Sequence, residues 1–188
     1  MGIPATIQHR WTADEVRALP EEPGKRYEVV DGELLVSPGP TWPHQKCAKR
    51  LMVLLDEYAE ASGVGTALFG PGDYELDRRS LVQPDVFVVP LVEGKSPNSQ
   101  AQVTRPLLFV EVLSSSTARH DRVVKRRRYQ RARIEYWIVD LDARLLERWL
   151  PDAKQPDVLV EQVSWHPPLA AQPLVIEPAP LFTYAFGE

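Results

Sequence analysis

The sequence predicts an α/β fold in which a mixed β-sheet is flanked by helices. Two apolar runs, 107–113 and 136–139, have the composition of strands that are buried on both faces. A helical segment separates them, and a strand–helix–strand crossover of this kind implies a parallel pair. Near the N-terminus, Asp31-Gly32 stands between two β-rich stretches, which is a strong signal for an antiparallel hairpin. The two kinds of pairing together indicate a mixed sheet.

We assign two helices and four strands to the first half of the chain. Thr12 and Glu15 form a capping box, which opens a short helix that ends near Pro20. Apolar residues then recur at helical spacing from His44 to about Ala61, so we predict an amphipathic helix there. The predicted strands are 26–30, 33–37, 74–76 and 81–89, with loops at 37–43 and 91–105.

The second half contains the crossover and a set of outer strands. Residues 114–117 are Ser-Ser-Ser-Thr and offer N-caps for a helix that runs to about Arg133. After the strand at 136–139, the segments 145–150 and 158–163 are predicted to form an antiparallel pair. The proline-rich stretch from Trp165 is predicted to wrap the surface with one or two short strands.

Length and composition restrict the class of protein. A chain of 188 residues fits one domain, which we expect to span 1–188. Cys47 is the only cysteine, so neither an intrachain disulfide nor a cysteine-rich zinc site can form. No apolar run reaches the roughly 20 residues of a membrane span, and 1–10 carries no signal-peptide core, so we expect a cytoplasmic protein. The net charge of −4 argues against a protein that coats nucleic acid, although binding along one basic stripe stays open.

Two carboxylates stand in apolar strands, where a charge is costly. Asp85 opens the run 86–89, and Glu111 lies inside 107–113. A buried carboxylate needs a partner or a metal, and Mg²⁺ is bound by carboxylate oxygens together with water and substrate phosphate. One interpretation is that Asp85 and Glu111 converge on a metal site. The other is that each forms a salt bridge with an arginine of a neighbouring element.

The helix after Glu111 contributes a candidate lysine. Asp121, Lys125 and Tyr129 are spaced four residues apart and therefore lie on one helix face. Lys125 is placed to reach back over the carboxylates, where it would orient an attacking water or neutralise a phosphorane-like transition state. The alternative is an exposed lysine that pairs with Asp121.

Glu28 and His44 are weaker candidates, because each has an ordinary surface interpretation. Glu28 alternates with apolar neighbours on the hairpin strand and could face solvent, and His44 at a helix start could contact a phosphate or be plain surface. Glu28, Asp85 and Glu111 would together carry three negative charges, which one Mg²⁺ and Lys125 would balance. Without metal, we expect at least one of these carboxylates to have a raised pKa.

A basic run follows the candidate carboxylates. Residues 119–133 contain eight of the chain's 22 Lys and Arg residues. In an acidic protein such a stripe suits the backbone of a polyanion. The alternative is a solvated helix face that is balanced by acidic neighbours.

Motifs along most of the chain resemble one known family. They occur in a fixed order: Tyr27–Glu33, Ser37-Pro38 with His44-Gln45, Gln83–Val86, Phe109–Ser114, Ser116-Thr117, Asp121 with Lys125 and Tyr129, and Glu135–Asp140. This ordered set resembles the Uma-two family of putative restriction endonucleases, a bacterial branch of the PD-(D/E)xK nuclease superfamily.

The resemblance implies a restriction-endonuclease-like core over about 11–150, followed by a proline-rich extension at 151–188. It also implies hydrolysis of phosphodiester bonds that depends on Mg²⁺ or Mn²⁺. Pro84-Asp85 matches the PD element, and Glu111 matches the second acidic residue. Leu113 stands where the superfamily has its lysine, and Lys125 of the following helix would replace it.

The resemblance also implies a role for each residue. Asp85, Glu111 and the Val112 carbonyl would hold the metal, and Glu28 would support it or bind a second one. Lys125 would position the nucleophilic water, with Asp121 as its partner rather than a metal ligand. Contacts with the nucleic-acid backbone are expected from Arg122, Arg126 and His44.

The leading hypothesis is therefore a metal-dependent nuclease that acts on DNA. A second hypothesis is a catalytically inactive nuclease-like module that binds nucleic acid or protein, which the displaced lysine and the acidic pI favour. A third is a phosphodiesterase for a small substrate, which would need a closed pocket. We expect a homodimer, because two-fold assemblies are the commonest and suit the cutting of two strands. The apolar C-terminal strands are one candidate interface.

Overall fold

The computed structural model describes residues 9–114 and 116–188. Ser115, one of the candidate helix caps, lies outside these residues, and so does most of the segment considered for a signal peptide. Within the described part, no helix combines the length and the apolar content that crossing a bilayer requires.

The chain forms four α-helices and twelve strands over its described residues. The helices are α1 (Ala13–Arg17), α2 (Trp42–Ala61), α3 (Arg126–Arg131) and α4 (Pro178–Phe186). A π-helical turn (His120–Lys125) leads into α3. The strands are β1 (Lys25–Val30), β2 (Glu33–Pro38), β3 (Gly65–Phe69), β4 (Tyr74–Asp77), β5 (Ser80–Val82), β6 (Val86–Pro90), β7 (Leu108–Val112), β8 (Glu135–Asp140), β9 (Leu145–Trp149), β10 (Asp157–Leu159), β11 (Val163–Trp165) and β12 (Leu174–Ile176).

A mixed six-stranded sheet forms the centre of the fold. Its strand order is β10-β9-β8-β7-β6-β3. The predicted crossover makes β7 and β8 a parallel pair, whereas the other neighbours run antiparallel. The predicted fold class, a mixed sheet flanked by helices, is confirmed.

A smaller four-stranded sheet, in the order β2-β1-β5-β4, lies beside it. The predicted hairpin is β1 and β2, and both turn residues, Asp31 and Gly32, have positive φ as an Asp-Gly turn requires. The prediction of one continuous strand over 81–89 is wrong. The chain leaves the small sheet after β5, passes through Gln83–Asp85 and enters the large sheet as β6. Pro84 has no N–H to donate to a ladder, so the strand breaks there and Asp85 stands at the junction.

The C-terminal segment differs in part from its prediction. Only β10 pairs with β9, whereas Val163 belongs to β11 and pairs with β12. The segment also ends in α4, a helix that was not predicted because the segment is rich in proline. Pro178 occupies the first turn of this helix, where its missing N–H costs nothing.

The two faces of the large sheet bury different clusters. Val86, Val110 and Trp137 pack with α2 and α4 on one face. Phe109 and Tyr129 pack on the other face, under the small sheet and α3. Side chains alternate between the two faces along a strand. Asp85 directly precedes Val86 and Glu111 directly follows Val110, so both carboxylates belong to the second face.

Strand β3, which the sequence analysis assigned to no element, fits only because it begins with glycine. A Cβ at Gly65 would lie 2.3 Å from the carbonyl oxygen of Val89 on β6. We expect Gly65→Ala to lower the free energy of unfolding by about 1–3 kcal/mol, because the strands must move apart. Urea denaturation would measure this loss. Gly39→Ala is the control, because its Cβ would meet its nearest atom at 3.7 Å; an equal loss in both variants would contradict the close-approach argument.

Candidate active site

Asp85 and Glu111 meet at the same end of neighbouring strands. The register of β6 and β7 pairs Val86 with Val110, so one further step sets Asp85 opposite Glu111. The Asp85 carboxylate accepts a hydrogen bond of 2.9 Å from the backbone N–H of Val112. Both side chains are buried. The structure therefore brings together the two carboxylates that the apolar strand pattern singled out.

Lys125 reaches these carboxylates from the helix that follows β7. Its Nζ lies 2.8 Å from Oε2 of Glu28 and 2.9 Å from Oε1 of Glu111. The expected contact with Asp121 is longer, at 3.6 Å. Lys125 is only 5% exposed, so the alternative of an exposed lysine is wrong. It belongs to the π-helical turn, a widened helical geometry that occurs often at functional sites.

Glu28 enters the same site from the small sheet. It is buried, so the alternative in which it faces solvent is wrong. Its Oε2 forms an ion pair with the Lys125 ammonium, and its Oε1 accepts a hydrogen bond of 2.7 Å from the backbone N–H of Gln83. Strand β1 is thereby joined to the connection that carries Asp85.

Arg26 and His44 flank Asp85. Arg26 donates a hydrogen bond of 3.0 Å from Nη1 to Oδ1, which is the arginine partner foreseen by the structural interpretation of Asp85. His44 Nε2 lies 3.0 Å from Oδ2, although neither ring nitrogen makes an aligned hydrogen bond within the described residues. His44 is only 5% exposed. The interpretation of His44 as a plain surface residue is therefore wrong.

The pKa values of the site follow from burial and from these partners. Burial alone would raise the pKa of Asp85, but His44, Arg26 and the Val112 N–H outweigh it and hold this pKa at about 2. Glu111 behaves in the opposite way. Burial raises its pKa well above the usual range, and the neighbouring carboxylates raise it further against the pull of Lys125. The expected raised carboxylate pKa is thus present at Glu111.

Lys125 keeps its proton in spite of its burial. Desolvation favours the neutral amine, but the attraction of Glu111 and Glu28 is stronger and raises the Lys125 pKa well above its usual range. Burial raises the pKa of Asp121, and its Oδ1 is buried without a hydrogen-bond partner among the described residues. The cluster therefore holds more acidic groups than its fixed cations satisfy. Its four carboxylates face two basic side chains, namely Glu28, Asp85, Glu111 and Asp121 against Arg26 and Lys125.

Two neighbouring spaces adjoin the cluster. A small cavity of about 50 Å³ is lined by the four carboxylates together with Val112 and Lys125. A larger cleft of about 920 Å³ lies between the loop after α1, the start of α2 and the turn after β3. Arg26 and Asp85, which pair with each other at 3.0 Å, line both spaces, so the cleft is adjacent to the carboxylate cavity.

The donor set of the small cavity fits a hard divalent cation. As they stand, the described residues include no set of three or more Asp, Glu, His or Cys side chains that could hold a metal ion. Mg²⁺ does not require one, because it is usually held by one or two carboxylates while water and substrate phosphate complete its shell. Oδ1 of Asp121 lies 3.6 Å from the Lys125 ammonium without a hydrogen bond, and the carboxylates outnumber the basic side chains by two. A divalent cation would satisfy both.

Arg122 and Arg126 do not line this cavity. Arg122 forms ion pairs of 2.7 Å with both Asp140 and Glu147. The guanidinium of Arg126 stacks 4.6 Å from the ring centre of Trp149. Most of the basic run is paired with acidic side chains in this way, as in the alternative interpretation of a balanced helix face. The roles of Arg122 and Arg126 in backbone contact stay predictions, and the structure sets both side chains outside the carboxylate cavity.

Arg26 and Tyr129 also belong to the site, although neither was predicted as a site residue from the sequence. Arg26 stands two residues before Glu28, so the strand period of two sets both on one face. Tyr129 stands four residues after Lys125, and its hydroxyl donates a hydrogen bond of 3.3 Å to Glu111. The two-residue spacing to Glu28 and the four-residue spacing to Lys125 could therefore have indicated both residues.

Comparisons with known proteins agree with the resemblance in sequence and with the fold. The model of the Uma2 family, described as "Putative restriction endonuclease", matches residues 13–177, which extends past the expected core of 11–150. A crystal structure of a putative nuclease from Anabaena variabilis ATCC 29413 is similar in fold, with a TM-score of 0.68 and 18% identity. That match covers 93% of this chain and 99% of the other. No curated protein matches the chain significantly.

The family model covers most of the chain, including every strand and helix that contributes to the carboxylate cluster. With the motifs in order and the fold shared, the chain belongs to the Uma2 family of putative restriction endonucleases.

Proposed function

We propose that this protein is a metal-dependent nuclease that hydrolyses phosphodiester bonds in DNA. The observation that carries the proposal is the convergence of Asp85 and Glu111, from adjacent strands, on one buried cavity with Lys125. The family match supports a nuclease. Metal dependence and the DNA substrate go beyond that match and belong to the proposal.

The residues of the cavity would have two roles, namely to hold a metal ion and to orient the attacking water. Asp85, Glu111 and the Val112 carbonyl would hold Mg²⁺ or Mn²⁺, with Glu28 in support. A bound divalent cation supplies an activated water and stabilises charge on the phosphoryl oxygens. Lys125, held in its charged form by Glu28 and Glu111, would orient the water and offset negative charge as it develops.

The inactive module remains the second candidate, and one observation favours it. Lys125 and Arg26 already contact oxygens of Glu28, Glu111 and Asp85, so part of the carboxylate charge is compensated without metal. Such a site could persist as a structural ion cluster on a binding protein. The two candidates differ in whether the protein binds a divalent metal and cuts.

A cleavage assay separates the two candidates. Supercoiled plasmid and single-stranded DNA would be incubated with the protein in chelator, in Mg²⁺ and in Mn²⁺, and calorimetry would measure metal binding. We expect metal-dependent cutting of at least one substrate, and the activity should follow the protein through gel filtration. Cutting in chelator, or an absence of both cutting and metal binding, would contradict the proposal.

The homodimer stays a prediction. The C-terminal strands considered as its interface bury much of their apolar surface inside the protomer, since Val163, Trp165 and Ile176 belong to the core. Val158 and Val175 remain exposed on the same segment.

A further inference from the structure

We propose that the 920 Å³ cleft binds a single unpaired nucleotide of the substrate strand, with its base stacked on Phe69. The inference rests on the proposed function and names the substrate class: nucleic acid in which at least one base next to the cleavage site is unpaired.

The position of the cleft connects it with the chemistry. Its inner wall includes Asp85, Arg26 and His44, and Asp85 and Arg26 also line the carboxylate cavity. A nucleotide in the cleft would therefore lie next to the candidate active site, with a neighbouring phosphate close to Asp85 and Arg26. The volume lies within the ~300–1,000 Å³ that is typical of sites for small organic groups.

The charge of the cleft suits a base better than a phosphate chain. Its lining contains four Lys or Arg and four Asp or Glu side chains, and a balanced lining gives a polyanion no net attraction. Three of the basic groups are held in ion pairs: Arg17 with Glu75, Lys25 with Glu22, and Arg26 with Asp85. The fourth, Lys49, makes no ion pair within the described residues; its Nζ lies 6.0 Å from the centre of the Tyr184 ring, a contact that a flanking phosphate could replace.

An aromatic platform stands at the outer side of the cleft. Phe69 ends β3, lines the cleft and is 60% exposed, so its ring is accessible to a ligand in the cleft. Tyr27 and Pro71 lie on the same lining. Every base has a flat face that can stack on such a ring. Bases inside a duplex are covered by their neighbours, so the platform selects a base that is unpaired or flipped out.

The test uses oligonucleotides that carry 2-aminopurine, a base whose fluorescence changes on stacking. Three forms would be titrated: a single strand, a duplex with the 2-aminopurine unpaired, and a perfect duplex. Titrations would be made in chelator and again in Mg²⁺. We expect the first two forms to bind with a fluorescence change and the perfect duplex to bind more weakly. Phe69→Ala should weaken binding of the unpaired forms roughly tenfold, the usual effect of losing one stacking ring.

Phe186→Ala is the matched control, because Phe186 is also an exposed phenylalanine but lies on α4, beside Arg144 and outside the cleft. The inference is overturned by equal binding of the perfect duplex, by Phe69→Ala binding as wild type does, or by an absence of binding in both conditions. It is also overturned if a free dinucleotide binds as tightly as the strand, since the ligand would then be a small molecule.

The two proposals fail in different ways. Preferential binding of unpaired bases without any cleavage would contradict the nuclease and leave the cleft assignment intact. Metal-dependent cleavage of a perfect duplex, with no effect of Phe69→Ala, would support the nuclease and overturn the cleft assignment.

Discussion

Replacing Lys125 with methionine is expected to lower the free energy of unfolding by about 3–5 kcal/mol when a chelator removes divalent metal. The ammonium lies within 2.9 Å of both Glu28 and Glu111 in a buried site. Its loss leaves buried carboxylates without their shared cation, and an uncompensated buried charge costs far more than an exposed pair gains. Methionine keeps most of the side-chain volume, so packing contributes little to the loss. Urea denaturation would measure it.

Lys154→Met is the control, because Lys154 is exposed and its replacement should change stability by less than about 0.5 kcal/mol. A second variant separates charge from packing. Adding Glu111→Gln to Lys125→Met removes one of the stranded carboxylates, so the double variant should be more stable than Lys125→Met alone, a coupling expected of residues in contact. If the double variant loses further stability, the destabilisation comes from packing and the charge argument is wrong.

The same variant bears on metal binding. Wild-type Lys125 neutralises charge that a divalent cation would also neutralise, so Mg²⁺ should stabilise Lys125→Met more than it stabilises the wild type. Identical Mg²⁺ effects on the two proteins would indicate that the cavity does not take the ion.

Much of this site could be predicted from the sequence, because its two central carboxylates stand among apolar residues and its lysine follows them on a crossover helix. Glu111 is a carboxylate inside an otherwise apolar strand, and Asp85 stands directly before another apolar strand. Buried carboxylates at such positions require a partner. Lys125 could be placed near them because a crossover helix must start beside the end of its preceding strand. These inferences depend only on strand period, helix period and topology.

Pairing between distant segments could not be predicted in the same way. The spacing of the basic run shows which of its side chains share a helix face, but Arg122 meets Asp140 and Glu147 on strands that follow later in the chain. Arg26 likewise finds Asp85 across 59 residues. The short strand β3 was missed because its five residues start with a glycine that only the approach of Val89 explains. Partners of this kind are set by tertiary packing, for which a single sequence has no periodic signal.

Asp85→Asn is expected to reduce metal-dependent cleavage by roughly 10³-fold, or about 4 kcal/mol of transition-state stabilisation. The substitution keeps the shape of the side chain, and its carbonyl oxygen can still accept the hydrogen bond from Val112 N–H. It removes the negative charge that faces both the cleft and the carboxylate cavity. Cleavage rates on plasmid and calorimetric titration with Mg²⁺ would be measured on the same preparation.

Asp56→Asn provides the matched control for this loss. Asp56 is a partly buried carboxylate that also accepts a backbone hydrogen bond, of 2.8 Å from Ala67 N–H, but it lies on α2 outside both spaces. The Asp56→Asn variant should cleave plasmid DNA at the wild-type rate. Wild-type cleavage by Asp85→Asn would mean that the activity arises elsewhere. If Asp85→Asn instead loses metal binding and cleavage together, while Asp56→Asn keeps both, the carboxylate cavity is the active site and the inactive-module alternative is excluded.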